Sequence, residues 1–238
     1  MKWTKAEIDL LTKTYNKISG DKLMKLFPDR HWVNIKQKAF VLKLTERGGL
    51  YTREGNKRTM LKNTINVDFE DITNLSYILG VIDGDGWCSK VANRNTYLIG
   101  LETIYKPFVD KFKHHLKFIG LNPAIRLRKK RNSYQLYITS KELGNWYSNV
   151  NKKKYLRENN TIWQYLEGMY DSEGHLHRGK YPMICNTDIK LKKLLLDLLK
   201  LVGINANEHI DKIYVPIKYA DIFLSNVNSV YPKKMGYL

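Results

Sequence analysis

The chain has 238 residues, 43% of them apolar and 12% aromatic, with a formal net charge of +18 and a pI of about 9.7. That composition supplies a real core and argues against disorder, and so positive a balance suits a polyanion, most simply nucleic acid. Cys88 and Cys185 show no metal-ligand spacing, no apolar run reaches membrane-spanning length, and "MKWTKAEIDL" lacks a signal-peptide core; the expected location is the cytoplasm or another intracellular reducing compartment, away from any membrane.

Residues 1–46 read as a small three-helix domain. "WTKAEIDLLTKTY" spaces Trp3, Ile8, Leu11 and Tyr15 helically, with Thr4 as N-cap and Glu7 completing a capping box. "SGDKLMKLFP" gives a second helix stopped by Pro28. "RHWVNIKQKAFVLKL" gives a third, with Trp32, Ile35, Ala39 and Leu42 inward and Arg30, Lys36, Lys38 and Lys43 outward. Three short helices with a basic last one suggest a helix-turn-helix DNA reader and resemble small Myb-like modules. Arg30, Lys36 and Lys38 are its candidate DNA contacts. Residues 47–70, rich in glycine and charge, read as a linker.

From about residue 71 the chain repeats itself. Helix "NLSYILGVIDGDG" leads to a hairpin turning at Asn93–Asn95, then helix "YKPFVDKFKHHLKFIG", strands "AIRLRKK" and "SYQLYIT", and helix "KELGNWYSNV". After a basic spacer, residues 151–158, the order restarts with "TIWQYLEGMYDSEG", hairpin "HLHRGKYPMICN", helix "DIKLKKLLLDLLKLVG", strands "NEHI" and "KIYVPI", and helix "KYADIFLSNV". Gly80 and Gly168, "GLN" and "GIN", and "SNV" twice mark matching positions, and their spacing shrinks along the chain. Residues 71–150 and 159–238 are therefore one unit in two copies, the second with shorter loops.

Each unit opens on an apolar helix that ends in two acids, in "ILGVIDGDG" (78–86) and "LEGMYDSEG" (166–174). A helix C-terminus already carries negative dipole charge, so acids there need a compensating cation or proton. The two stretches resemble the paired motifs of monomeric LAGLIDADG homing endonucleases. The resemblance covers roughly residues 71–238. It implies an α+β fold of two tandem pseudo-symmetric αββαββα repeats, here preceded by the three-helix domain. It also implies motif helices packed side by side, with Gly80 and Gly168 at the repeat interface. Asp85 and Glu173 would be the catalytic acids, and Asp83 and Asp171 chiefly structural. Metal ligation would fall to Asp85, Glu173, Gly84 and Ser172, with Mg2+ expected and Mn2+ or Ca2+ as alternatives in its place. Glu102 and Asn186, at the ends of second strands, match positions that order water, although Glu102 departs from the commoner amide. Lys141 and Lys180 are the candidates for a lysine near the cleavage site.

Each sheet's exposed face is expected to be polar and basic and to lie in a DNA major groove. "RLRKKR" supplies Arg126, Arg128, Lys129, Lys130 and Arg131 to phosphates or guanines. Arg94, Arg178 and Lys180 sit in the first hairpins, and strand alternation aims Gln135 at a base edge or at the core. His175 and His177 share one side of a strand, whereas His114 and His115 read as helix surface. The expected activity is metal-dependent, site-specific hydrolysis of both strands of double-stranded DNA by a monomer. An RNA-binding maturase and a non-cleaving DNA-binding regulator are the alternatives.

Overall fold

The computed structural model describes residues 3–15, 17–18, 20–44 and 67–236. They fall into two compact units, residues 1–65 and 66–238. Residues 47–66 of the expected linker lie outside the described residues. Residues 67–70 belong to the second unit: Val67 is buried, the Asp68 amide donates to the Ile119 carbonyl, and Phe69 packs on Trp146.

The first unit holds α1 (Lys5–Thr14), α2 (Gly20–Leu26) and α3 (Trp32–Val41). Thr4 caps α1: its hydroxyl accepts from the Glu7 amide while Glu7 accepts from the Thr4 amide, so two orphan donors are satisfied reciprocally. Leu11, Leu23, Phe27, Ile35 and Ala39 form the core, with Trp32 and Leu42 packed against it. Lys36 is exposed, and Phe40 beside it is 72% exposed. Arg30 does not face outward. It pairs with Glu7 at 2.9 Å under the Trp3 ring, with a side chain only 7% exposed. The carboxylate that completes the helix cap also draws the guanidinium inward.

The second unit contains both repeats. The first runs α4 (Ile72–Asp83), β1 (Gly86–Lys90), β2 (Tyr97–Thr103), α5 (Lys106–Phe118), β3 (Ala124–Arg128), β4 (Ser133–Ser140) and α6 (Lys141–Asn149). The second runs α8 (Ile162–Glu173), β5 (Gly174–His177), β6 (Tyr181–Cys185), α9 (Ile189–Leu201), β7 (Asn207–Glu208), β8 (Lys212–Tyr214) and α10 (Ala220–Asn226). Each repeat makes one antiparallel four-stranded sheet, in orders β1-β2-β4-β3 and β5-β6-β8-β7. The basic spacer is itself a helix, α7 (Lys152–Glu158), capped by Asn151 and anchored by the buried Leu156.

Helices α4 and α8 pack face to face in the centre. Residues Leu75–Ile82 of α4 are buried without a break, as expected of a helix enclosed on all sides. Ser76 and Thr161 hydrogen-bond across the start of the pair at 2.7 Å. Gly80 and Gly168 meet in its middle: a Cβ on Gly80 would stand 2.9 Å from the Met169 nitrogen and 3.1 Å from the Gly168 Cα. Only glycine lets two backbones approach so closely, at a cost in helix propensity of about 1 kcal/mol each.

Candidate active site

The crossing at Gly80 and Gly168 brings the two helix C-termini together. Gly84 caps α4, and a Cβ there would lie 2.8 Å from Ser172 Oγ and 3.4 Å from Glu173 Cγ. Asp85 follows Gly84, and Glu173 is the last residue of α8, so the two acids share one site. Burial raises the pKa of both, although Asp85 still reaches the surface, and the neighbouring Asp85 charge raises Glu173 further. Such a pair favours a cation.

One cation is already built in. Lys234, on the short 3-10 helix Pro232–Met235, donates to the carbonyls of Tyr170, Asp171 and Ser172 at 3.1, 2.7 and 3.2 Å. These carbonyls belong to the last turn of α8, where the helix runs out of its own donors, although that of Tyr170 also accepts from the Gly174 amide. Burial lowers the Lys234 pKa to about 8, against the opposing pull of Asp171, Asp85 and Glu173.

The earlier acids of the motifs serve the fold. Asp171 is fully buried and accepts from Tyr77, Lys111 and the Val230 amide at 2.8, 2.8 and 3.0 Å. Asp83 accepts from Tyr147 and Tyr165 at 2.7 and 2.8 Å and pairs with Lys152. Lys111 also pairs with Glu167. His115 is not helix surface. It stacks on Tyr77 and bonds Asn74, and burial lowers its pKa to about 3.

Strand register fixes the rest of the site. Gly86 pairs with Leu101 and Gly174 with Ile184, so Glu102 stands beside Asp85 and Cys185 beside Glu173. The equivalent of Glu102 is therefore Cys185 and not Asn186. Asn186 lies one residue past β6, where its amide donates to the Asp211 carbonyl and its side chain accepts from the Asp188 amide. The Glu102 carboxylate accepts from Ser133 at 2.7 Å and pairs with Arg128 at 2.9 Å, which holds it below the usual carboxylate range. Arg131 lies 3.8 Å from it.

Ile99 and Leu101 face the core with their partners Ile138 and Leu136. The alternate positions, Glu102, Gln135, Arg126 and Arg128, therefore share the other face of the first sheet. Lys129, Lys130 and Arg131 form the turn that follows, and Arg94, Arg178 and Lys180 lie in the two first-hairpin turns. In the second sheet His175 and His177 share the face opposite the buried Leu176. Neither expected lysine is at the acids. Lys141 follows Ser140, which pairs with Tyr97, five strand residues or roughly 17 Å from Glu102. Lys180 is at the outer turn of its hairpin. Lys234 occupies the place sought for them. Its only local sequence signal was the lysine pair in "YPKKM" after the last helix.

Two carboxylates with adjacent carbonyls are a hard oxygen set, and among the described residues no three or more His, Cys, Asp or Glu side chains cluster to hold a metal. Such a set suits a hard divalent cation that keeps waters of its own and takes substrate phosphate as a further ligand.

Residues 73–150 match the LAGLIDADG-like domain family. Two uncharacterized proteins of Methanocaldococcus jannaschii are similar in sequence. MJ0314 is 28% identical over 187 residues, 72% of this chain and 70% of that protein. MJ0398 is 28% identical over 160 residues, 66% of this chain and 59% of that protein, so the chain spans less than two thirds of it. Among solved structures, the homing endonuclease I-DmoI superposes with a TM-score of 0.56 at 20% identity, covering 67% of this chain and 98% of that one. It has also been solved in complex with DNA and Mn. The homing endonuclease I-WcaI, bound to its DNA recognition sequence, gives 0.52 at 17% identity, covering 71% and 87%. The N-terminal LAGLIDADG domain of DUF199/WhiA gives 0.50 at 17%, covering 69% and 87%. Among the described residues no helix is long and apolar enough to cross a membrane.

Proposed function

From the premise that this chain carries a LAGLIDADG-like domain and has the LAGLIDADG two-repeat fold, we propose that it is a site-specific endonuclease that cuts both strands of a long double-stranded DNA target with a divalent metal, acting as a monomer. The observation that carries this reading is the pair Asp85 and Glu173, one from each repeat, at helix ends that touch through Gly84 and Ser172. A fold used only for binding has no need of two acids held against each other at paired helix ends.

In this reading Arg126, Arg128 and Gln135 on the first sheet face the groove, and Lys129, Lys130, Arg131, Arg94, Arg178 and Lys180 meet phosphates from the turns. Arg128 leaves Glu102 for DNA, and the freed carboxylate beside Asp85 orients water. The first unit adds phosphate contacts through Lys36 and Lys38. Asp85 and Glu173, with the carbonyls of Gly84 and Ser172, would hold Mg2+, which lowers the pKa of bound water and neutralises charge on the scissile phosphate. The two acids keep the scissile bonds centred between the sheets, and the paired glycines keep the acids in register.

The test is incubation of the protein with a plasmid library, with Mg2+ or with chelator, followed by sequencing of the ends. Discrete double-strand breaks at one sequence only with metal are expected. Binding of one sequence without breaks would replace the nuclease by a regulator, and binding confined to RNA would replace it by a maturase.

A further inference from the structure

The pseudo-symmetry of the acid centre is broken at the Glu102 and Cys185 positions and again at Lys234. On α8 the carbonyls of Tyr170, Asp171 and Ser172 all accept from the Lys234 ammonium. The matching carbonyls of α4, those of Ile82, Asp83 and Gly84, receive no side-chain donor among the described residues. Lys234 is also held firmly. The Tyr170 hydroxyl donates to the Lys234 carbonyl at 2.8 Å, and Tyr231 next to this turn stacks on Tyr105 with ring centroids 4.2 Å apart. The lysine stem is thus fixed at both ends, its backbone on Tyr170 and its ammonium on the helix terminus.

Ser172 is the residue whose carbonyl, by the symmetry of the two motifs, would serve a cation as Gly84 does. That oxygen already has one. Charge points the same way: two carboxylates and two helix ends amount to roughly three negative charges. Lys234 and one divalent ion supply three positive ones, whereas a second divalent ion beside Lys234 would leave a large excess before any phosphate arrives.

We propose that Lys234 replaces a metal ion on the Ser172 side of the centre, so that the site takes a single divalent cation, held by Asp85 and the Gly84 carbonyl with Glu173 shared between cation and lysine. This rests on the metal-dependent nuclease reading above and deepens it. A lysine serving only as a helix cap would steady α8 without changing how many ions bind.

The test is a count of Mn2+ bound by the full chain in MnCl2 alone, by electron paramagnetic resonance titration, with a melting curve for each protein. One ion is expected in the parent, one in Lys234→Arg and none in Asp85→Asn. Lys234→Met, which keeps the stem and removes the charge, should bind two, or bind the first at least tenfold more tightly. A parent count other than one overturns the proposal, and it can be read even if Lys234→Met does not fold. One ion of unchanged affinity in a folded Lys234→Met also overturns it. Two parent ions together with metal-dependent plasmid breaks would sink the lysine's role and leave the nuclease reading standing. No ion in any variant, with no breaks, would sink both.

Discussion

Tyr77 of α4 donates its hydroxyl to Asp171 of α8 at 2.8 Å, and Tyr165 of α8 returns the bond to Asp83 of α4 at the same distance. The exchange fastens each motif helix to the other's structural acid and leaves the next acid along, Asp85 or Glu173, without a tyrosine hydrogen bond among the described residues. Both hydroxyls are buried and their ionisation is pushed far up, first by desolvation, so they act as permanent donors.

Tyr77→Phe and Tyr165→Phe should each destabilise the second unit. Each removes a donor from a buried carboxylate while leaving the ring's packing, a loss of about 1–3 kcal/mol. Urea unfolding of the single and double variants gives the measurement. If both singles match the parent, the crossed bonds do not hold the helices together.

Asp85→Asn and Glu173→Gln should abolish cleavage and keep specific DNA binding. Their effect on the metal-free fold has a definite sign. Both carboxyls have folded pKa values raised above the ordinary range, so the folded state binds more protons there and loses stability as pH rises through those values. Either neutral amide removes that penalty, so at pH 7 without metal each variant should melt at or above the parent temperature. Asp171→Asn should melt lower, because it weakens the Lys111 pair and the Tyr77 bond. A cleaving Asp85 variant, or an Asp171 variant as stable as the parent, would reverse the assignment of roles within the motif.

The features legible in the sequence are local or periodic. The Thr4–Glu7 box, the two motif helices and both sheets follow from spacing within a few residues, and the repeat makes each half a check on the other. What was hidden depends on distant chain. Lys234 reaches the acids from the far end of the second repeat. Arg30 turns inward because Glu7, 23 residues earlier, is waiting for it. Cys185 was missed by a slip of one residue. A single-residue slip in a strand exchanges faces, and only the pairing of Gly174 with Ile184 settles which residue adjoins Glu173.

His115 should make the second unit acid-sensitive. Burial, and then the Lys111 charge, lower its folded pKa from 6.5 to about 3, so the unfolded chain takes up a proton that the fold refuses. Stability is then full above about pH 6.5 and falls as pH drops toward 3, by about 1.4 kcal/mol per unit at most. In His115→Gln, which can still bond Asn74, that slope should be shallower than in the parent between pH 6.5 and 4.5. Parallel slopes would mean that the imidazole charges freely in the folded protein.

Removal of residues 1–66 should leave a folded two-repeat unit, because Val67, Asp68 and Phe69, which pack into it, are kept. If Lys36 and Lys38 touch phosphates, the shortened protein should cut only at higher concentration and show a shallower dependence of affinity on salt, by about one unit of slope for each phosphate no longer neutralised. Binding titrations at several salt concentrations provide the comparison. An unchanged slope would take the first unit off the DNA. Arg30→Ala in the full chain should lower the first unit's melting temperature and leave the slope alone, since its guanidinium is spent on Glu7.

Gly80→Ala and Gly168→Ala should damage fold and activity together. On propensity alone each change would help a helix by about 1 kcal/mol. Here the new methyl has nowhere to go: at Gly168 it would collide with the Tyr77 carbonyl and stand 2.9 Å from the Val81 nitrogen. The obstacle is backbone, which cannot rotate aside as a side chain would, so the helices must part. Overpacking of this kind costs about 1–3 kcal/mol. Parting the helices also separates Asp85 from Glu173, and a displacement of about 1 Å can cost roughly a hundredfold in rate. Activity should therefore fall more steeply than melting temperature, and the double variant should lose less than the sum of the singles, because the first methyl has already opened the crossing. Melting curves beside cleavage time courses decide it. An alanine variant that is more stable than the parent and equally active would mean that the two helices do not meet at these glycines, and the shared acid centre would have to be abandoned.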